Sequence, residues 1–481
     1  MHNMERHGAY LNGVWVVATE LVPNVNPSDV TDVIGLFADA DQELLDQAVV
    51  AARSAQPGWA AQSPQVRADL LDRVGAAIDA DATALGTLLA REEGKTLPEA
   101  IGEVRRAAQI FRFHAGEALR LVGDFQDSIR AGVSVTHVRE PVGVVGVITP
   151  WNFPISIPAW KCAPALAHGN TVILKPAELV PASAIALAEI LDRAGCPPGV
   201  FNVVTGRGSN IGAHLVSHPD IDAVTFTGSE EVGVSIAAAT AGRLVRVQLE
   251  LGGKNPLVVM ADADLDLAVD CAVDGAFMST GQRCTATSRI YVEEPIYQIF
   301  VDRLLARTES LRIGHALDPA TQIGPVVDGR QLAHVVDRIE GARALTDVQV
   351  HGGRHVRAAT DGHFLTPAVV IGAGNECEIN RSETFGPVAS VQSVADLDQA
   401  IKRANDTAYG LVAGICTSSL RAATEFRRRA DTGIVTVNLP TAGVDPHVAF
   451  GGRKRSGFGP KEQGRYAQEF YTQVKTAYER A

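Results

Sequence analysis

Paired cysteines, a leader-like N-terminus, an unbroken apolar span and a surplus of basic charge are all missing from these 481 residues. Cys162, Cys196, Cys271, Cys284, Cys377 and Cys416 form no CxxC pair and no regular spacing. That pattern excludes a disulfide scaffold and leads us to expect free thiols in a reducing, cytoplasmic compartment. Residues 1–10 carry charge and histidine without an apolar core, so no signal peptide is expected. Residues 141–160 lack charge, but Pro141, Pro150, Pro154 and Pro158 would break a spanning helix there. No membrane span is expected. With 55 acidic against 43 basic side chains the formal net charge is −12, a sign that repels phosphate backbones and disfavours nucleic acid as a partner. Neither an internal repeat nor a low-complexity stretch occurs.

The composition, 46% hydrophobic and 20% charged, is that of a globular chain with material for several buried cores. At ~150 residues per domain the length suggests about three. In the central third, β-rich runs at 142–148, 171–174, 201–204, 223–226 and 244–249 are bounded by Gly or Pro. They alternate with helical segments such as 181–194, which predicts βαβ units and a parallel sheet. Residues 41–53, 64–93 and 98–121 read as amphipathic helices, and 125–139 as one extended segment. A second α/β pattern starts near 255, with a strand at 255–260 and a helix at 264–278 capped by Asp264. The segment 469–478 is β-prone.

Several short segments can carry chemistry. Cys284, in Gly281-Gln282-Arg283-Cys284, follows a predicted helix where backbone N–H groups and the Arg283 cation can stabilise a thiolate. A buried packing cysteine is the plainer alternative. Glu250 ends a strand before Gly252-Gly253-Lys254 and fits either a general base of raised pKa or a carboxylate paired with Lys254. Asn152, between Pro150 and Pro154, is placed either to donate to an oxyanion or as an ordinary turn residue. Lys175 and Glu178 follow a strand end, where they would suit ribose hydroxyls or simply be solvated. The loops 206–212 and 227–233 both join a strand to a helix and compete as phosphate sites.

Taken in order, Pro150-Trp151-Asn152-Phe153-Pro154, Lys175-Pro176-Ala177-Glu178, Phe226-Thr227-Gly228-Ser229 and Leu249-Glu250-Leu251-Gly252-Gly253-Lys254 resemble the aldehyde dehydrogenase superfamily. Gly281-Gln282-Arg283-Cys284, Glu383-Thr384-Phe385-Gly386-Pro387, Phe450-Gly451-Gly452 and Ser456-Gly457 continue the resemblance over nearly the whole chain. It implies an α/β architecture in three parts. These are a Rossmann-type cofactor domain (1–122 and 142–252), an α/β catalytic domain (253–465) and a small β oligomerisation unit (123–141 and 466–481). A homodimer or homotetramer is expected.

The resemblance also implies roles. Cys284 would be the nucleophile, Asn152 an oxyanion donor, and Glu250 the base that activates water against a thioester. NAD, with NADP also admitted, would contact Trp151, Lys175, Glu178, Gly208, Thr227, Gly228, Ser229, Val232, Gly233, Leu251, Glu383 and Phe385. No metal is implied. Residues 275–289 and 442–478 look most like 2-oxoglutarate semialdehyde (2,5-dioxopentanoate) dehydrogenases. Arg283 would then either meet a substrate carboxylate or turn away and pair with the protein. Phe153, Trp160, Val444 and Phe450 would be apolar walls. The rivals are another aldehyde, a CoA-acylating relative, a cysteine hydrolase, and a non-catalytic nucleotide-binding protein of the same fold. Glu250 counts against the CoA branch, the absence of a matching histidine motif against the hydrolase, and the joint presence of Cys284, Glu250 and Asn152 against the last.

Overall fold

The computed structural model describes residues 5–480. The five β-rich runs form parallel strands, Val144–Ile148, Thr171–Lys175, Phe201–Val203, Ala223–Thr227 and Arg246–Glu250. Across the sheet they stand fifth, fourth, first, second, third. The order therefore reverses beside Val144–Ile148, and at such a reversal a crevice opens at the carboxyl ends of the strands. Side chains alternate between the two faces. Val145, Val147, Val172 and Leu174 pack with Ile157 and Leu166 on one side. Val144 and Ile173 pack with Leu45 and Val49 on the other. Burial on both faces explains why these strands read as continuous apolar runs. Antiparallel strands extend both edges: Ala9–Leu11 beside Phe201–Val203, and Gly457–Phe458 beside Arg246–Glu250. The latter pairing brings the 451–462 loop to the Glu250 end of the sheet.

The helices differ from expectation in their breaks. The predicted 64–93 helix is two, Pro64–Ala80 and Ala82–Glu93, parted at Asp81 (φ −91°, ψ 10°). Leu97–Ala118 follows, with Glu99 in its first turn accepting from the Thr96 N–H. Helix Leu265–Phe277 is capped by Asp264, whose carboxylate accepts from the N–H groups of Asp266 and Leu267. It packs on a second sheet centred on Asn255–Val259, Thr287–Glu293 and Val388–Val394, all parallel and largely buried.

The expected single extended segment near 125–139 is a hairpin of Asp124–Asp127 and Val133–Pro141. Thr472–Arg480 pairs antiparallel along the whole of Val133–Pro141. That strand starts later than the β-prone segment suggested, because Gln468–Tyr471 is helical. Among the described residues, no helix is long and apolar enough to cross a membrane.

Candidate active site

Helix Leu265–Phe277 runs into a turn where Ser279, Thr280 and Gly281 take φ of 50°, 56° and 64° in succession. L side chains occupy that region at a cost, so the turn needs external support. Glu99 accepts from the Ser279 N–H at 2.7 Å, and the Thr280 hydroxyl donates to the Gly324 carbonyl at 3.1 Å. A Cβ on Gly281 would lie 2.2 Å from the Gly386 carbonyl oxygen, so this position has room only for glycine. Cys284 follows directly. Asn152 Nδ2 donates to the Gln282 carbonyl at 2.9 Å, and Asn255 Nδ2 donates to the Cys284 carbonyl at 2.8 Å. Asn152 is held in turn by Lys95, whose ammonium donates to its carbonyl at 2.6 Å. An amide nitrogen has two hydrogens. The second N–H of Asn152 has no partner among the described residues.

Burial pushes the Cys284 thiol up to about 12; the Glu383 and Glu250 carboxylates add to the rise, and backbone N–H groups of Thr285 and Cys284 oppose it. The expected help from Arg283 is not seen. Its guanidinium turns to Glu99 at 3.2 Å and Asp274 at 3.5 Å, the protein-paired alternative.

Glu250 is the last residue of its strand and is buried. Burial first, and the neighbouring Glu462 second, hold its carboxyl well above the usual carboxylate range; Lys461 and Lys161 pull the other way. Its Oε2 has no hydrogen-bond partner among the described residues. A Cβ on Gly451 would fall 2.5 Å from Oε1, so the carboxyl is turned toward the 451–462 loop. Lys254 is not its partner. That amine lies near Arg289 and Glu383, and burial brings it down to about 7. Beside Glu250 instead is a buried Lys161–Glu462 ion pair, with Lys161 also donating to the Thr225 hydroxyl at 2.8 Å. Sequence reasoning passed over Lys161, Lys461 and Glu462. A usable signal existed, because Lys161 is the one charged residue in Ser156–Ala167, a helix buried throughout. A buried cation needs a counter-ion.

Two cavities meet at Cys284, the single residue lining both. One, of 290 Å³, gathers Trp151, Asn152, Thr227, Gly228, Ser229, Leu251, Glu383 and Phe385 from the expected set. Gln331 and His334, unforeseen, also line it. Phe385 has φ 53°, and its ring stands edge-on to Trp151 at 5.3 Å. Glu383 accepts from the Gly253 N–H at 2.9 Å, and burial raises its carboxyl to about 7. A Cβ on Gly252 would strike the Glu383 carboxylate at 2.1 Å, which accounts for a glycine there. Ser229 caps helix Glu230–Ala241, so the positive end of that helix faces the crevice. The Thr227 hydroxyl is buried without a partner among the described residues.

A neighbouring cavity of 180 Å³ is lined by Glu178, Asp39 and Arg207. Lys175 is buried close to Glu178 and Asp39, and burial brings its amine down to about 8. A Cβ on Gly208 would lie 3.8 Å from that amine. Val232 and Gly233 line none of these cavities. Val232 is exposed, and Gly233 lies against Leu251.

The second cavity at Cys284, of 320 Å³, is walled by Phe153, Trp160, Arg283, Val444 and Phe450, the five positions anticipated for substrate. Trp160 and Phe450 stack with ring centroids 5.4 Å apart. Lys95, Glu99, Glu103, Arg106 and Asp274 also face it and were not foreseen.

Comparison with known proteins finds the aldehyde dehydrogenase family profile matching residues 15–477. The chain is 38% identical over 473 residues to the alpha-ketoglutaric semialdehyde dehydrogenase of Bacillus subtilis, covering 98% of this chain and 97% of that one. It is 39% identical over 459 residues to the 2,5-dioxopentanoate dehydrogenase of Saccharolobus solfataricus, covering 95% of each. Among solved structures, betaine aldehyde dehydrogenase from Staphylococcus aureus in complex with NAD+ superposes with a TM-score of 0.96 at 31% identity, over 99% of this chain and 95% of that one.

Proposed function

Because the chain belongs to the aldehyde dehydrogenase family, we propose that it oxidises a carboxylated semialdehyde, 2-oxoglutarate semialdehyde first, to the carboxylate with NAD. One observation carries the reading. Cys284 alone is shared by a crevice lined by Gly228, Ser229, Gly252 and Glu383 and a cavity walled by Phe153, Trp160 and Phe450. A dinucleotide suits the first and an aldehyde the second.

The crevice residues fit the cofactor. The capped N-terminus of Glu230–Ala241 would receive the pyrophosphate at Gly228 and Ser229. Lys175 and Glu178 would hold the adenosine ribose, and Glu383 with Phe385 the nicotinamide side. The unpartnered Thr227 hydroxyl is available to a ligand oxygen. The Glu178 carboxylate would repel a 2′-phosphate, which favours NAD over NADP. Arg207 beside the same cavity and Arg330, 3.7 Å from Glu178, soften that repulsion, so NADP is admitted second.

In the reaction, Cys284 Sγ gives up its proton to solvent and its thiolate adds to the aldehyde carbon, whose carbonyl π bond opens to the oxyanion of a thiohemiacetal. The free N–H of Asn152 and the backbone N–H of Cys284 meet its oxyanion. A nicotinamide held by Glu383 and Phe385 would supply the hydride acceptor, and loss of the hydride from the thiohemiacetal carbon would leave a thioester on Cys284. Glu250 rotates from the 451–462 loop toward the thioester and takes a proton from the attacking water. The C–O bond forms, the C–S bond breaks, the carboxylate leaves, the Cys284 thiolate is restored and Glu250 returns its proton to solvent. Held above the usual carboxylate range, the Glu250 carboxylate is a stronger base toward water than an ordinary one.

The names of the two semialdehyde relatives support the substrate. We also retain the three-part domain division and a homo-oligomer built on the open edge strand Thr472–Arg480, where Val474 and Tyr478 are exposed. Six free cysteines suit the cytoplasm. The test is NADH or NADPH formation at 340 nm with 2-oxoglutarate semialdehyde, succinate semialdehyde and a plain aliphatic aldehyde. The highest kcat/KM is expected for the dioxo acid with NAD. A plain aldehyde that is turned over best would remove the substrate class, and a clear NADP preference would remove the role given to Glu178.

A further inference from the structure

Six charged side chains line the 320 Å³ cavity: Lys95, Glu99, Glu103, Arg106, Asp274 and Arg283. Five of them are paired with one another, two cations with three carboxylates. Lys95 donates to Glu103 at 2.6 Å, while Arg283 lies 3.2 Å from Glu99 and 3.5 Å from Asp274. Arg106 is the exception: among the described residues it has neither an ion pair within 4.0 Å nor a hydrogen bond. The acidic groups that influence it are Glu103 and Asp445. Glu103 is committed to Lys95 and to the N–H groups of Ile155 and Ser156. Asp445 is exposed on the loop opposite. Burial already penalises the Arg106 cation, and a half-buried guanidinium without a counter-ion is costly to keep unless something completes it.

The helix points this cation at the substrate space. Glu99, Gly102, Glu103 and Arg106 follow i, i+3, i+4, i+7 spacing in Leu97–Ala118 and so share one face. A Cβ on Gly102 would meet nothing within 4 Å, so the wall beside Arg106 is open.

We infer that Arg106 is the residue that recognises the substrate's distal carboxylate while the aldehyde carbon lies at Cys284. A guanidinium offers a carboxylate two parallel N–H donors, and the cavity leaves this one unspent. The inference rests on the carboxylated-semialdehyde reading and moves to Arg106 the contact that the sequence suggested for Arg283. Arg283 becomes a positioning residue. It shares Glu99 with the Ser279 N–H and so braces the turn that presents Cys284.

The experiment measures kcat and KM for wild type, Arg106→Gln and Arg283→Gln with 2-oxoglutarate semialdehyde and succinate semialdehyde, and with uncharged pentanal and butanal. For Arg106→Gln the carboxylated-to-uncharged ratio of kcat/KM is expected to fall on the order of 100-fold, mostly through KM. Arg283→Gln is expected to lower all four substrates together, through kcat. A wild type that prefers the carboxylated aldehydes, with an Arg106→Gln ratio within about threefold of it, overturns the assignment and leaves the substrate class standing. A wild type without that preference removes the substrate class, and the role of Arg106 with it. A ratio that collapses only in Arg283→Gln overturns the assignment in favour of Arg283. If Arg106→Gln does not fold, Arg106→Met keeps the apolar stem and carries the same expectation and the same contrary result.

Discussion

Burial pushes the Cys284 thiol up to about 12 and holds the Glu250 carboxyl above the usual carboxylate range, and the Glu250 carboxylate adds to the rise at Cys284. A thiol pushed to about 12 holds little thiolate at neutral pH in the free protein. Its alkylation by iodoacetamide, followed on the Cys284 peptide, should therefore rise about tenfold per pH unit through the neutral range, because only the thiolate reacts. A plateau at or below the ordinary thiol range would mean that a cation or bound base stabilises the thiolate after all. Positions 284, 250 and 152 could be picked out as candidates in the sequence because each sits in a short motif at a strand or helix end, and the structure brings Cys284 and Asn152 to one crevice. Their electrostatics were not legible there. Arg283 is adjacent to Cys284 in sequence but is claimed by Glu99, 184 residues away.

Among the elements, the parallel strands were read closely, since burial on both faces leaves continuous apolar runs between glycine and proline. The helix break at Asp81 and the hairpin within 124–141 were missed, because local propensity is weak where tertiary packing decides. Which helix face meets which cavity was equally hidden, so Arg106 gave no sign of its place. Helix Leu97–Ala118 also carries a cost. His114 is buried with neither ring nitrogen bonded among the described residues, and burial lowers it to about 3; His168, at the end of Ser156–Ala167, is lowered to about 4. The unfolded chain, with histidine near 6.5, binds protons below that pH that the folded chain refuses. Stability is thus full above the unfolded value and falls as pH drops from about 6.5 toward the folded values. Replacing the unbonded ring with an apolar side chain removes one such group, so His114→Leu should flatten the acid decline of Tm. An unchanged decline would mean that His114 finds a partner or solvent.

For the molecule as a whole, two sheets present their strand ends to one junction, and the turn that carries Cys284 closes it between two cavities. The C-terminal strand Thr472–Arg480 leaves an edge with exposed apolar side chains. Light scattering should return a multiple of the 50.8 kDa chain, and a single-chain mass would remove the oligomer. The central claim is that oxidation passes through a thioester on Cys284 that Glu250 resolves. Glu250→Gln keeps the nucleophile and both cavities but removes the base. Mixed with NAD and 2-oxoglutarate semialdehyde, it should release about one NADH per chain and then stall. Intact-mass and peptide analysis of the stalled protein tests the claim most directly. The account predicts an acyl group on Cys284, released by hydroxylamine. NADH formed with Cys284 unmodified, and turnover persisting in Cys284→Ala, would contradict it.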